Sequence, residues 1–175
     1  MERPKTEATV VLLVNESGQV CLARKKQAIH HESGEIEYSL GLYNGYGGKK
    51  EDIDGDIFDT AIRELHDESG VNAKKEDLDL AFRAYFYIQK EETTSPFMTV
   101  SFFFLHTWSG DMVEGREMGP PLFFAPQDMP YEEMMPADKI LFEKMLSGDK
   151  FVAEVLLLGK HIAPEITFIK ESLAV

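Results

Sequence analysis

Between Ile57 and Ser69 the apolar residues Ile57, Phe58, Ala61, Ile62 and Leu65 recur at three- and four-residue spacing, the periodicity of a helix with one buried face. Asp54 and Asp56 stand where side-chain oxygens can cap its first turn, and Gly70 stands where glycine ends a helix in the left-handed conformation. Elsewhere the β-rich runs dominate. Ala8–Val14 and Gln19–Arg24 read as strands joined by the turn-rich Asn15-Glu16-Ser17-Gly18, forming a hairpin or adjacent strands. Leu80–Gln89 and Met98–Trp108 form a second pair, separated by a polar loop from Lys90 to Pro96. Ala137–Leu146 has helical spacing with Asp138 near its start, and Phe151–Leu158 and Ile166–Ile169 read as later strands. This order predicts an α+β protein with a mixed sheet flanked by helices. Phe102, Phe103 and Phe104 then give core on one face of a strand, and either pocket or helix packing on the other.

Helical geometry puts Glu64 and Glu68 one turn apart on one face of the first helix, with Asp67 beside them. Like charges at that spacing destabilise a helix, so the cluster is easier to understand around a cation. Hard oxygen ligands favour Mg²⁺, or Mn²⁺ in its place. A solvated acidic face is the plain alternative. The glycine turn Gly47-Gly48 just upstream, and the order of the residues, favour a metal and phosphate site.

Composition narrows the partners. The chain has 175 residues, 43% of them hydrophobic, enough for one domain over residues 1–175 with its own core. No run approaches the roughly twenty apolar residues of a membrane helix, and Met1–Thr9 lacks the apolar centre of a signal peptide, so a cytoplasmic protein is expected. Cys21 is the only cysteine, which excludes an intrachain disulfide; within Val20-Cys21-Leu22 it reads as core. A net charge of −13 argues against a nucleic acid polymer as partner. A small, metal-chelated phosphate ester remains feasible, with Arg24, Lys25 and Lys26 as either local positive potential or a solvated strand end.

The segment from about residue 48 to 71 resembles the Nudix box, Gly-x5-Glu-x7-Arg-Glu-aliphatic-x-Glu-Glu-x-Gly-aliphatic. Arg63 to Val71 matches its second half with only Asp67 in place of a glutamate. The first half departs, because Gly55 stands where counting back from Arg63 should reach the glutamate. The loop looks one residue long. If the extra residue lies between Lys49 and Asp56, Gly48 takes the role of the box glycine, and Asp56 or Glu51 supplies the acid that pairs with Arg63. Four further stretches are similar to the MutT-like branch that hydrolyses oxidised purine nucleoside triphosphates: Ala8–Val14 with Cys21–Lys26, Tyr43–Lys49, Glu117-Met118, and Met134–Asp138.

The resemblance implies an α/β/α sandwich and Mg²⁺-dependent attack of water on a small-molecule nucleotide, releasing a nucleoside monophosphate and pyrophosphate. It implies Glu64 and Glu68 as principal metal ligands, Asp67 as a supporting one, and the carbonyl of Gly48 as a further donor. Glu117 corresponds to a distant metal ligand or base, and the general base is drawn from the box glutamates or Glu117. Substrate contacts are implied for Thr9, Lys25, Gly47 and Gly48, purine recognition for Asn44 and Asp138, and stacking for Met135. The branch has two adjacent aspartates where this chain has Ala137-Asp138, so the preferred base does not follow. The segment from Lys26 to Leu40, with His30, His31, Glu32, Gly34, Glu35 and Glu37, reads as a lid or an ordinary surface loop; adjacent histidines seldom address one ion. Two other readings stand beside the favoured one: a Nudix hydrolase of ADP-ribose, a dinucleoside polyphosphate or capped RNA, and a non-catalytic binding module, motivated by Gly55.

Overall fold

The computed structural model describes residues 2–26, 40–90, 92–158 and 162–173. Alternation along the first strand, β1 (Glu7–Leu13), sets the architecture. Val11 and Leu13 point into one core, and Ala8 and Leu12 into another. The first core is closed by helix α1 (Ile57–Ser69) through Ile57, Ala61 and Leu65; the second by helix α2 (Asp138–Leu146) through Leu141, Phe142 and Met145. Between the helices lies a five-stranded mixed sheet.

Its strands are β1, β4 (Leu78–Lys90), β5 (Thr93–Leu105), β7 (Phe151–Leu157) and β8 (Glu165–Ile169), in the order β1-β5-β4-β7-β8. The pairs β1/β5 and β4/β7 are parallel; β4/β5 and β7/β8 are antiparallel. Three shorter strands, β2 (Val20–Arg24), β3 (Tyr43–Asn44) and β6 (Leu122–Phe124), form a second sheet ordered β3-β2-β6. The fold is thus α+β, with helices on both faces of a mixed sheet. The phenylalanine run divides accordingly. Phe103 lies 5.1 Å from Phe58 of α1, while Phe102 stacks on Phe82 at 4.0 Å and meets Phe142 of α2 edge-on at 6.0 Å.

Two expectations need correction. β1 and β2 share only the bridge Val14–Val20 and then enter different sheets, so they are neither a regular hairpin nor neighbours in one sheet. The supposed loop from Lys90 to Pro96 is mostly strand: Lys90 pairs with Thr93, and Pro96 faces Tyr87 beside a register shift, the kind of irregularity where proline fits in a sheet. Its polarity reflects exposure of that end of the strand pair rather than loop structure. Among the described residues no helix is long and apolar enough to cross a membrane.

Candidate active site

Helix α1 begins where its sequence allows a cap. Asp56 accepts the N–H groups of Phe58 (2.9 Å) and Asp59 (3.0 Å), and Asp59 reaches back to the N–H of Asp56. The helix ends at Gly70, φ 78°, whose N–H donates to His66 O. Asp56 also pairs with Lys75, so it is committed to the cap.

The acid that chiefly pairs with Arg63 is Asp54; the expectation of Asp56 is overturned, and Glu51 contributes only a long ion pair. The guanidinium of Arg63 donates to both carboxylate oxygens of Asp54, at 2.9 and 2.8 Å, whereas Glu51 stands 3.9 Å away. Asp54 is buried; it also accepts the hydroxyl of Thr60 and the N–H of Glu51. Arg63 foremost holds its carboxyl below the usual carboxylate range. Five residues separate Gly48 from Asp54, as the box requires, so the extra residue lies between Asp54 and Arg63. Counting forward from the glycine would have found it. Asp54→Asn is expected to cost about 1–3 kcal/mol in chemical denaturation, since it leaves a largely buried guanidinium short of its main partner. An unchanged denaturation midpoint would contradict that role.

Arg63 also fixes the first of the expected metal ligands. It donates to Glu64 Oε1 at 2.8 Å and to Lys49 O at 3.1 Å. Burial, with Asp67 and Glu117 contributing, pushes the Glu64 carboxyl upward against the pull of Arg63. Gly48 lies directly against this carboxylate: a Cβ there would stand 2.5 Å from Glu64 Cδ. The carbonyl of Gly48 accepts the N–H of Thr9 at 2.9 Å and keeps a second lone pair.

One turn further along α1, Glu68 is 5% exposed, and its Oε2 accepts the N–H of Gly47 at 2.8 Å. Burial raises its carboxyl to about 7, with Lys25 opposing and Glu64 and Glu117 adding to the rise. The ammonium of Lys25 stands 3.7 Å from both Glu68 and Glu117. Its backbone is fixed between two segments, donating to Leu42 O and bridging to Met118. Glu117 is brought in because the chain at Gly115 presses on α1, where a Cβ would meet Glu68 O at 2.4 Å. The fold therefore gathers Gly47, Gly48, Glu64, Glu68, Lys25 and Glu117, while Asp67 is exposed on the flank.

Among the described residues no three carboxylate, imidazole or thiol groups stand close enough together to hold an ion as they are. The donor set nonetheless suits a hard divalent cation. Glu117 lies near enough to push up the carboxyls of both Glu64 and Glu68, Glu64 adds to the rise at Glu68, and a cationic group, Lys25 Nζ, already lies between Glu68 and Glu117.

The three basic residues of β2 and its end each pair with an acid: Arg24 with Glu133 and Lys26 with Glu114 at 2.6 Å, both pairs partly exposed, and the largely buried Lys25 with the two glutamates. Cys21 is buried, 4.0 Å from the hydroxyl of Tyr46, with its thiol pushed up to about 12 by burial. It is core, as expected.

Of the residues expected to read the base, Met135 and Asp138 belong to the segment that opens α2, and Asn44 follows a residue of the same core. Tyr43 shares one buried core with Met134, Ala137 and the apolar face of α2, and the Oδ1 of the adjoining Asn44 accepts the N–H of Gly45 at 2.8 Å. Asp138 opens α2 and is buried, its Oδ2 accepting the N–H of Met135 at 3.1 Å, with burial raising its carboxyl to about 7. It thus stabilises the start of the helix and keeps a second oxygen besides. Ala137 is 2% exposed within the core, a position an unpaired acid could occupy only at high cost. Thr9 belongs instead to the face of Val11, and its buried hydroxyl has no hydrogen-bond partner among the described residues. The histidines and glutamates of the Lys26–Leu40 segment lie outside the described residues.

The family model of the NUDIX domain matches residues 4–146. Among solved structures, a MutT protein from Bacillus halodurans is similar over 95% of this chain and 99% of its own, with a TM-score of 0.77 and 20% identity. A MutT protein from Methanosarcina mazei Go1 matches 85% of this chain and 94% of its own, with a TM-score of 0.59 and 18% identity. A UDP-X diphosphatase matches 87% of this chain and 68% of its own, at 0.54 and 19%. At these identities the likeness is one of fold. No curated protein matches the chain.

Proposed function

Because the chain belongs to the Nudix family and is a pyrophosphohydrolase of the MutT-like kind, we propose that it hydrolyses oxidised purine nucleoside triphosphates, such as 8-oxo-dGTP, to the monophosphate and pyrophosphate. We take residues 1–175 as one domain acting in the cytoplasm on free nucleotides. The observation that carries this reading is the meeting of Glu68 from α1, Lys25 from beyond β2 and Glu117 from the loop before β6, against Gly47 and Gly48.

Glu64, Glu68, Glu117 and the carbonyl of Gly48 would hold Mg²⁺, or Mn²⁺ in its place, with Asp67 supporting from the flank. The ion supplies, when bound, Lewis acidity that activates water and offsets charge on the phosphates. The chain does the positioning. Arg63 orients Glu64, and the N–H of Gly47 orients Glu68. Lys25 draws Glu68 and Glu117 together, the two carboxylates best placed to accept the proton of the attacking water, and presents a cation toward the phosphates. Asn44, Met135 and Asp138 address the purine, with the thioether against a ring face. The carboxyl of Asp138, poised near 7, can donate to or accept from a purine edge.

That poise makes a prediction. Asp138 binds its proton more tightly folded than unfolded, so its contribution to stability falls as pH rises from about 4 to about 7, by at most about 1.4 kcal/mol per pH unit, and Glu68, also raised to about 7, adds a slope of the same sign. Asp138→Asn should make the stability profile shallower over this window by the share of Asp138, leaving that of Glu68. A variant that keeps the wild-type slope would show that Asp138 is ionised throughout.

The similarity to a UDP-X diphosphatase favours a second reading, cleavage of another nucleoside diphosphate derivative such as ADP-ribose or a nucleotide sugar. The non-catalytic reading loses its motivation, since Asp54 pairs with Arg63 in place of the acid missing at Gly55. Comparing kcat/KM for 8-oxo-dGTP, 2-hydroxy-dATP, the ordinary dNTPs, ADP-ribose, UDP-glucose and a dinucleoside polyphosphate tests the proposal. A preference of about tenfold or more for an oxidised purine triphosphate is expected; faster cleavage of the diphosphate derivatives would replace it with the second reading.

A further inference from the structure

Arg24 makes contacts that none of the roles above uses. Its backbone is held on both sides, paired with Tyr43 of β3 and accepting the N–H of Gly119 at 2.8 Å. Its guanidinium lies 4.1 Å over the ring of Tyr43, donates to Gly41 O at 3.0 Å, and pairs with the carboxylate of Glu133. One planar cation therefore ties two separate segments together. Gly41 and Tyr43 lead into Asn44; Glu133 leads into Met135 and Asp138.

We propose that Arg24 is a positioning residue that fixes the spacing between Asn44 and the Met135–Asp138 segment, and so sets base selectivity without touching the substrate. The inference rests on the reading of those residues as the purine-binding set. The chemistry requires arginine specifically: its flat face stacks on Tyr43 while its fork of donors serves the Gly41 carbonyl and the Glu133 carboxylate together, and a lysine offers only a point charge. Both members of the ion pair are substantially exposed, 42% and 53%, and exposed pairs add little to stability. Tyr43, Met134 and Ala137 already share one apolar core, which is non-directional; what the network adds is a directional polar tie that sets how the two segments align. The effect should therefore appear in substrate discrimination rather than in unfolding.

The test uses the full chain with Arg24→Ala, Arg24→Lys, Glu133→Gln and the double variant Arg24→Ala/Glu133→Gln. For the preferred purine triphosphate, KM should rise about tenfold in Arg24→Ala with kcat within about twofold, and the preference over the unoxidised nucleotide should fall about tenfold. Arg24→Lys should not rescue it, and the double variant should be no worse than Arg24→Ala. Amide hydrogen exchange should quicken in residues 41–44 and 131–138 together, with the melting temperature shifted by less than about 2 °C. Unchanged selectivity with unchanged exchange would overturn the proposal, as would a loss confined to kcat and equal for all nucleotides, which would put Arg24 at the phosphates. If the wild type turns over no purine triphosphate, the proposed function fails on its own; the exchange measurement still decides whether Arg24 couples the two segments.

Discussion

Glu68→Gln is expected to lower kcat about 10³-fold while leaving the protein folded and no less stable. The glutamate lies almost wholly out of water, and burial is the largest influence on its carboxyl. Ionising it there costs free energy that a neutral amide does not incur. Glutamine keeps the oxygen that accepts the N–H of Gly47 and gives up only a long ion pair with Lys25, which retains Glu117 at 3.7 Å. The fold therefore loses little, while the chemistry loses a carboxylate assigned to the metal. Glu64→Gln should collapse turnover equally, with a small stability cost, because Arg63 donates to that carboxylate at 2.8 Å. Single-turnover rates and melting curves recorded with chelator separate the two effects. Near-normal turnover in both variants would remove Glu64 and Glu68 from the chemistry.

Gly47→Ala is expected to destabilise the protein by about 3 kcal/mol or more and to abolish activity with it. The added Cβ would lie 2.1 Å from Thr9 O, 2.7 Å from Thr9 C and 3.1 Å from Val10 Cα, all backbone atoms, at a φ of 155°. β1 cannot retreat, because β5 pairs with it along its other edge from Glu7 to Leu13. The segment carrying Gly47 is also fastened to β1, through Val11 N–H to Tyr46 O, Tyr46 N–H to Val11 O, and Thr9 N–H to Gly48 O. Relief requires that segment to peel away, and Gly47 then leaves Glu68 while Gly48 leaves Glu64. Gly48→Ala provides the contrast. Its Cβ meets the carboxylate end of Glu64, a side chain that can swing, so stability should be largely kept while activity falls. Denaturant titration of both variants distinguishes the outcomes; equal stability losses would mean the Gly47 contact is not special.

How far each part was legible in the sequence depended on the range of the forces involved. Helix α1 carries its own punctuation: an aspartate cap, an apolar stripe and a closing glycine act over a few residues, and its predicted span is the one observed. β3 and β6, two and three residues long, are too short to show any period and exist because neighbouring strands offer partners. The Lys90–Pro96 segment misled because polarity marks exposure, and an exposed strand end and a loop share it. Asp54 was visible as a candidate cap, but its pairing with Arg63 depends on where one extra residue is absorbed. Lys25 was legible as a charge, though its place between Glu68 and Glu117 arises only when the loop at Gly115 packs against α1. Ala137 looked like a lost acid; in the fold it is a core position.

Metal-dependent pyrophosphohydrolysis is tested most directly by product analysis by chromatography after incubating the purified protein with 8-oxo-dGTP, with and without Mg²⁺. 8-oxo-dGMP and pyrophosphate are expected in equal amounts, formed only with the metal and lost in Glu68→Gln. Release of inorganic phosphate instead, or the same products formed at the same rate in chelator, would contradict it.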